Sequence, residues 1–119
     1  MDDRLSKALD FSKYAVTLSN QKRLLKEKYL ESSIVYHNRG QFLISQTLIA
    51  HVSALVNAQQ LDAVIVDDFD IPIRFDNLEE FLKVILEVYY TASSEYHNEY
   101  EKITKQRSVA GIVELWNQV

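Results

Sequence analysis

Three carboxylates lie within four consecutive residues of the chain, at Asp67, Asp68 and Asp70. Mg²⁺ and Ca²⁺ are hard cations that prefer oxygen ligands, so this segment is a candidate metal site. It lacks the Asp-x-Asp-x-Asp-Gly frame and the distal glutamate of a calcium-binding loop. Because aspartate is common in turns, the favoured interpretation is a solvated hairpin turn. A metal-dependent enzyme that uses this acidic loop is the second alternative function.

The histidines, His37, His51 and His97, form no catalytic or metal-binding motif in the sequence. No two of them have the i, i+4 spacing of a His-Glu-x-x-His site. His97 and Glu101 are one helical turn apart, which predicts an ordinary surface pair. The chain has no cysteine and no Gly-x-Ser-x-Gly elbow, so no activated nucleophile is evident. We therefore predict no catalytic residue, no cofactor and a non-enzymatic role.

A local basic stretch, formed by Lys22, Arg23, Lys26 and Lys28, can contact phosphates. The whole chain has a formal net charge of −4, so general attraction to nucleic acid or to an anionic membrane is not expected. Cations near the end of a helix also complement its dipole. A regulatory protein that contacts nucleic acid or a nucleic-acid enzyme through this stretch is the first alternative function.

Outward-facing tyrosines and a C-terminal apolar stripe favour a protein partner. Tyr89 and Tyr96 lie on the apolar seam of a predicted helix, whereas Tyr90 and Tyr100 point outward, and exposed tyrosine is favoured at interfaces. The stripe on a short last helix can close the chain's own core or dock into a partner. The partner-binding candidates are Tyr90, Tyr100, Val109, Ile112, Val113 and Trp116.

Length and composition are those of one ordinary globular domain. The chain has 119 residues, of which 47% are apolar and 25% charged. No apolar run approaches the roughly 18 residues that span a bilayer. The first residues, Met1–Arg4, are acidic on balance, and the basic start and apolar block of a secretory signal are not expected here. Together with the absence of cysteine, this predicts a cytoplasmic protein.

Hydrophobic periodicity predicts a long first helix from Asp3 to about Leu30. Its apolar seam consists of Ala8, Phe11, Ala15, Leu18, Leu25 and Tyr29, widened by Leu5, Leu9 and Val16.

A β-hairpin and a second helix follow. Residues 34–37 and 42–44 are β-branched, aromatic or aliphatic and flank the turn signal Asn-Arg-Gly, in which Gly40 is expected to supply a positive φ. Ser45 then caps a helix that runs to about Gln60.

The same order recurs in the second half of the chain. Residues 63–66 and 71–73 predict two strands around the acidic turn. Pro72 cannot donate to a β-ladder, so its strand should be an edge or turn its amide side to water. Asp76 and Glu79 form a capping-box pattern that opens a third helix to about Gln106. Its expected buried face is Phe81, Leu82, Ile85, Leu86, Tyr89, Ala92, Tyr96 and Ile103.

These elements predict a single α+β domain over residues 1–119 with the order α-ββα-ββα-α. The simplest arrangement joins the two hairpins into one four-stranded, largely antiparallel sheet with helices on one face. The long first and third helices match in length and should pack together. The last helix, within residues 108–119, docks on this core or on a partner.

Several segments resemble small uncharacterised proteins of contractile-tailed cyanophages. The segments are Met1–Leu5, Leu18–Tyr29, Asp67–Ile73, Asn77–Phe81 and Arg107–Val109. None of them is a defined functional motif. The resemblance implies a phage-encoded protein of the host cytoplasm or the virion, with no established activity.

The sequence thus favours a non-enzymatic protein–protein interaction protein, such as an assembly factor, adaptor or structural component. The expected partner is another protein or a second copy of the chain, with self-association through the long helices. Nucleic acid is not the favoured partner, and no membrane association is expected.

Overall fold

The computed structural model describes residues 3–106 and Val109. The elements are α1 Asp3–Ser32, β1 Ile34–His37, β2 Gly40–Leu43, α2 Gln46–Asn57, β3 Ala63–Val66, β4 Pro72–Phe75 and α3 Leu78–Lys105. The α+β class and the order of these seven elements are confirmed. Apart from Val109, the predicted last helix lies outside the described residues. Over the part of the chain that is described, no helix has the length and apolar character of a membrane span.

The chain divides into two compact units. The helical unit consists of residues 1–28 and 95–119, and the hairpin unit consists of residues 29–94.

In the helical unit, α1 and α3 run antiparallel. Lys28 Nζ of α1 donates to Glu99 Oε1 at 2.9 Å, and the Tyr14 hydroxyl donates to the carbonyl oxygen of Gln106. These contacts confirm that the first and third helices pack together. Leu25 of α1 is buried at this end of the pairing.

The predicted apolar seam of α1 is wrong for its first half. Phe11 is 71% exposed, and Leu5, Ala8, Leu9, Ala15 and Val16 are also exposed. Helical periodicity identifies an apolar face but not what covers it. Among the described residues, α3 ends at Lys105, level with Tyr14, so it does not reach the first turns of α1.

The two hairpins form two separate two-stranded antiparallel sheets, so the predicted four-stranded sheet is wrong. β1 pairs with β2 from Ile34↔Leu43 to His37↔Gly40, and β3 pairs with β4 from Ala63↔Phe75 to Val66↔Pro72. The hairpins instead pack face to face. The His37 ring of the first hairpin stacks on Phe75 of the second, with ring centroids 4.2 Å apart.

Side-chain carboxylates are the physical reason why no ladder joins the hairpins. The outer amides of β2, at Gln41 and Leu43, donate to the carboxylates of Asp67 and Asp68. One backbone bond, from Asp68 N to Gln41 O at 2.9 Å, links the two hairpins here. The carboxylates therefore occupy the positions where the carbonyl groups of a neighbouring strand would accept.

The β1–β2 turn uses side-chain-bearing residues for its positive φ angles, and the prediction for Gly40 is wrong. Asn38 and Arg39 have φ values of 46° and 67°, which is the type I′ pattern of a two-residue hairpin loop. Gly40 is required for a different reason. A Cβ at this position would lie 2.6 Å from Cγ1 of Ile73, so a side chain would collide with the opposing hairpin.

The β3–β4 turn is a three-residue loop that ends in Asp70, which has a φ of 62°. Asp67 N donates to Ile71 O at 2.9 Å, and this pair fixes which residues of β3 and β4 bond to each other. Two residues on, Ile65 and Ile73 form the next bonded pair, so the nitrogen of Pro72 points away from β3. The prediction for Pro72 is confirmed.

The core of the hairpin unit lies between the inner faces of the hairpins and the helices α2 and α3. An aromatic group holds its centre, because Phe75 contacts Phe81 with ring centroids 4.5 Å apart and Phe42 edge-on at 5.5 Å. The buried members are Phe42, Ile44, Val52, Ile65, Ile73, Phe75, Leu78, Phe81 and Ile85.

Local capping fixes the starts of both helices of this unit. Ser45 Oγ accepts from Leu48 N at 3.1 Å, which confirms the predicted cap of α2. The cap of α3 is Asn77, whose Oδ1 accepts from Glu79 N at 3.1 Å, and not the predicted Asp76. On α3 the prediction also fails at Leu86, which is 45% exposed because it lies off the stripe that faces the core.

Candidate protein-binding site

Asp67 is buried, and its carboxylate accepts three backbone hydrogen bonds. Oδ1 accepts from the amides of Phe69 and Ile71, both at 2.9 Å, and Oδ2 accepts from Gln41 N at 3.1 Å. Burial acts to raise the pKa of this carboxyl group, but the amides of Ile71, Gln41 and Phe69 together lower the pKa below its ordinary value. Asp67 is therefore an anionic anchor that ties its own loop to β2.

Asp68 extends the same arrangement along β2. Its Oδ2 accepts from Leu43 N at 2.9 Å and from Gln41 Nε2 at 3.3 Å. Asp70 is exposed at the end of the loop. Over residues 3–106 and Val109, no group of three or more His, Cys, Asp or Glu side chains is arranged to hold a metal ion.

The outer edge of β3 presents backbone groups without a backbone partner among the described residues. Because Ile65 is bonded to Ile73 across the hairpin, the N–H and C=O groups of Val64 and Val66 point to the opposite side. The two valine side chains are 53% and 56% exposed on the outer face. β3 thus offers two donors and two acceptors between exposed apolar side chains.

A groove of about 490 Å³ lies beside this edge. Val64 and Val66 border it on one side, and the residues on the other side include Leu43, Leu48 and His51. Its volume lies within the roughly 300–1,000 Å³ that is usual for binding pockets.

The exposed apolar side chains of the β3–β4 hairpin form what we call the hairpin patch: Val64, Val66, Phe69 and Ile71. Phe69 is 66% exposed and Ile71 48% exposed at the tip of the hairpin. Single exposed apolar residues are ordinary on a protein surface, and the presence of four on one short hairpin makes this hairpin a candidate interaction site.

Charge is distributed unevenly between the units. Residues 29–94 contain nine aspartates and glutamates against three lysines and arginines, a net charge of −6. Residues 1–28 and 95–119 contain eight acidic and ten basic residues, a net charge of +2. The surface of the hairpin unit is therefore strongly acidic.

A second depression of about 380 Å³ lies elsewhere on the hairpin unit. Tyr36, which is 71% exposed, borders it together with Asp76 and Glu80. His37 also borders this depression, although its ring stacks on the core residue Phe75.

The predicted basic stretch lies on α1, and three of its four side chains have partners in the helical unit. Arg23 pairs with Glu27 at 2.9 Å, Lys28 pairs with Glu99, and Lys22 Nζ lies 5.3 Å from the centre of the Tyr100 ring. The fourth, Lys26, is exposed.

The tyrosine prediction is confirmed for burial. Tyr90 is 74% exposed and Tyr100 37% exposed, whereas Tyr89 and Tyr96 are partly buried. Val109 is partly buried. The other C-terminal candidates, Ile112, Val113 and Trp116, lie outside the described residues.

The histidines are not brought together by the fold. His97 Nε2 lies 3.4 Å from Glu101 Oε1 on an exposed face, as the spacing predicted. His51 borders the groove beside β3, and His37 contributes to the core.

Sequence reasoning missed the β3 edge and its groove. A signal was present, since Ala63–Val66 is apolar at every position, while a strand with one face toward water alternates. Ile65 faces the core, and the valines on either side of it do not.

Comparison with known proteins gives no relative. No protein-family model matches the chain, and no curated protein or solved structure is significantly similar to it.

Proposed function

We propose that this chain is a non-enzymatic protein–protein interaction protein that binds its partner through the hairpin patch. The observation that carries this proposal is that the β3–β4 hairpin of the hairpin unit exposes Val64, Val66, Phe69 and Ile71. A hairpin that served only the core would expose polar side chains on its outer face.

The size of the patch indicates what binding requires. Burying a half-exposed valine, isoleucine or phenylalanine contributes roughly 1 kcal/mol. Association costs at least about 4 kcal/mol in lost translational and rotational freedom, so four such side chains alone roughly offset that cost. Charge and backbone hydrogen bonds of the same surface must supply the remaining affinity.

The role that fits such a surface is that of an assembly factor, adaptor or structural component. In a chain that resembles small cyanophage proteins, the partner would be another component of virion assembly. The proposal assigns no chemistry to the acidic loop, because Asp67 and Asp68 already accept hydrogen bonds from β2.

The proposal is tested by site-specific photo-crosslinking of the full chain in a native cell extract. A benzophenone amino acid replaces Phe69 in one sample and the exposed α3 residue Glu87 in the control. We expect a discrete protein adduct from position 69 and none from position 87. Equal labelling at both positions, or no adduct at position 69, would show that the hairpin patch is not a binding surface.

A further inference from the structure

The edge of β3 also identifies the kind of partner, an inference that rests on the proposed function. We infer that the hairpin unit binds a basic, extended segment of another protein, which adds to β3 as a third strand.

The backbone geometry selects an extended segment. The N–H and C=O groups of Val64 and Val66 point outward along a strand, with two donors and two acceptors in alternation. An extended backbone complements that row, whereas the backbone groups of a helix are already paired internally. Residues of the added strand opposite the two valines would be apolar, because cross-strand side chains on one face contact each other.

The two outer edges of this hairpin differ. β4 carries Pro72, which has no amide to donate, and its Arg74 carbonyl accepts from Asn38 Nδ2 at 3.0 Å. Such features block the addition of another strand. Along β3 the described residues provide neither a proline nor a covering side chain, and a groove lies alongside. As far as residues 3–106 and Val109 are concerned, the hairpin is therefore open for pairing at its β3 edge and blocked at its β4 edge.

Charge selects a basic partner over a second copy. The hairpin unit has a net charge of −6, and Asp68 lies at the groove, whereas Asp62, just before β3, is already paired with Arg74 at 2.7 Å. Lysine or arginine beside the apolar residues of the added strand would be attracted to Asp68 and to the negative charge of the unit as a whole. Two hairpin units placed edge to edge would bring two such charges together and repel each other.

The experiment uses the full chain labelled with ¹⁵N and three synthetic peptides. The probe is the peptide Lys-Lys-Val-Thr-Val-Lys-Lys. One control peptide has glutamate in place of every lysine, and the other carries methyl groups on alternate backbone nitrogens. We expect the lysine peptide to shift the amide signals of Val64 and Val66 and to slow their hydrogen exchange. Each control should bind at least roughly tenfold more weakly.

Two substitutions at one position separate backbone from side chain. Val64→Pro removes an outward amide without breaking a bond inside the hairpin, and Val64→Thr keeps that amide. We expect roughly tenfold weaker peptide binding for the proline variant and less than about threefold for the threonine variant. Equal binding by the proline variant and the intact chain would overturn strand addition.

Other outcomes identify other occupants. A peptide that shifts only the signals of amides remote from β3 would overturn the proposal. Shifts of the Val64 and Val66 amide signals when the protein alone is concentrated would also overturn it, because they would identify a second copy of the chain as the occupant. If position 69 crosslinks to a protein but the peptide leaves both valine amides unchanged, strand addition is wrong and the proposed function stands. If both experiments fail, both proposals are wrong.

Discussion

The Asp67 carboxylate accepts the backbone amide of Gln41 at 3.1 Å, and these two residues belong to different hairpins. The same carboxylate accepts two amides of its own loop, from Phe69 and Ile71. One side chain thus both shapes the β3–β4 turn and attaches it to β2. A neutral or protonated side chain cannot accept from three donors equally well, so this junction depends on charge.

Replacing Asp67 with Asn should lower the stability of the fold and change its dependence on pH. The folded pKa of Asp67 is lowered from the ordinary value of 3.8, so the folded state binds a proton less readily than the unfolded chain. The stabilisation is therefore fully present above the unfolded pKa. It is lost as the pH falls from that value through the folded pKa.

The measurement is the midpoint of urea unfolding as a function of pH. At about neutral pH the Asp67→Asn variant should unfold at lower urea than the intact chain, and the difference should shrink below about pH 4. Asp70→Asn is the matched control, because Asp70 is an exposed residue of the same loop. A constant difference at every pH would contradict the assigned role.

The sequence alone predicts features that depend on contacts between residues close together in the chain, and it fails for features that depend on distant ones. Ser45 caps α2 through an amide three residues away, and hairpin pairing is set by short turns, so both were predictable. The bond from Gln41 to Asp67 joins residues 26 apart, and no local pattern indicates that separation. The separate sheets follow from this contact, so the predicted four-stranded sheet failed at the same point.

Gly40 shows a second limit of prediction from the sequence. Its place in the turn suggests that it is needed for a positive φ, whereas the structure shows that it is needed because Ile73 leaves no room for a side chain. We expect Gly40→Ala to destabilise the fold by about 1–3 kcal/mol, since the added Cβ would lie 2.6 Å from Ile73 Cγ1 and 3.1 Å from His37 O. Urea unfolding measures the loss. In an Ile73→Ala background the cost of Gly40→Ala should be smaller, and additive effects would rule out the collision.

Gln59 ends α2 in a conformation that favours glycine. Its φ is 61°, while Gln59 N donates to Val56 O and Gln60 N donates to Leu55 O, the pattern of a Schellman cap. Because a side chain is unfavourable at this φ, Gln59→Gly should stabilise the protein by roughly 0.5–1 kcal/mol. Thermal unfolding measures the gain. Gln60→Gly serves as the control and should lower the melting temperature; a gain there would contradict the cap.

Substitutions at Phe69 and Phe75 should have different effects, the first on partner binding and the second on folding. Phe69 is 66% exposed in the hairpin patch, whereas Phe75 is 1% exposed between His37 and Phe81. Phe69→Ser should change the free energy of unfolding by no more than about 0.5 kcal/mol, and Phe75→Ala should cost about 3–5 kcal/mol. Denaturant unfolding measures both changes in the free energy of unfolding. The affinity of each variant for the partner identified by crosslinking measures the effect on binding. A Phe69→Ser variant that folds normally and binds the partner as tightly as the intact chain would leave Phe69 without a role in binding and contradict the hairpin patch. If that variant loses stability as Phe75→Ala does, the exposed ring belongs to the core and the patch is not an interaction surface.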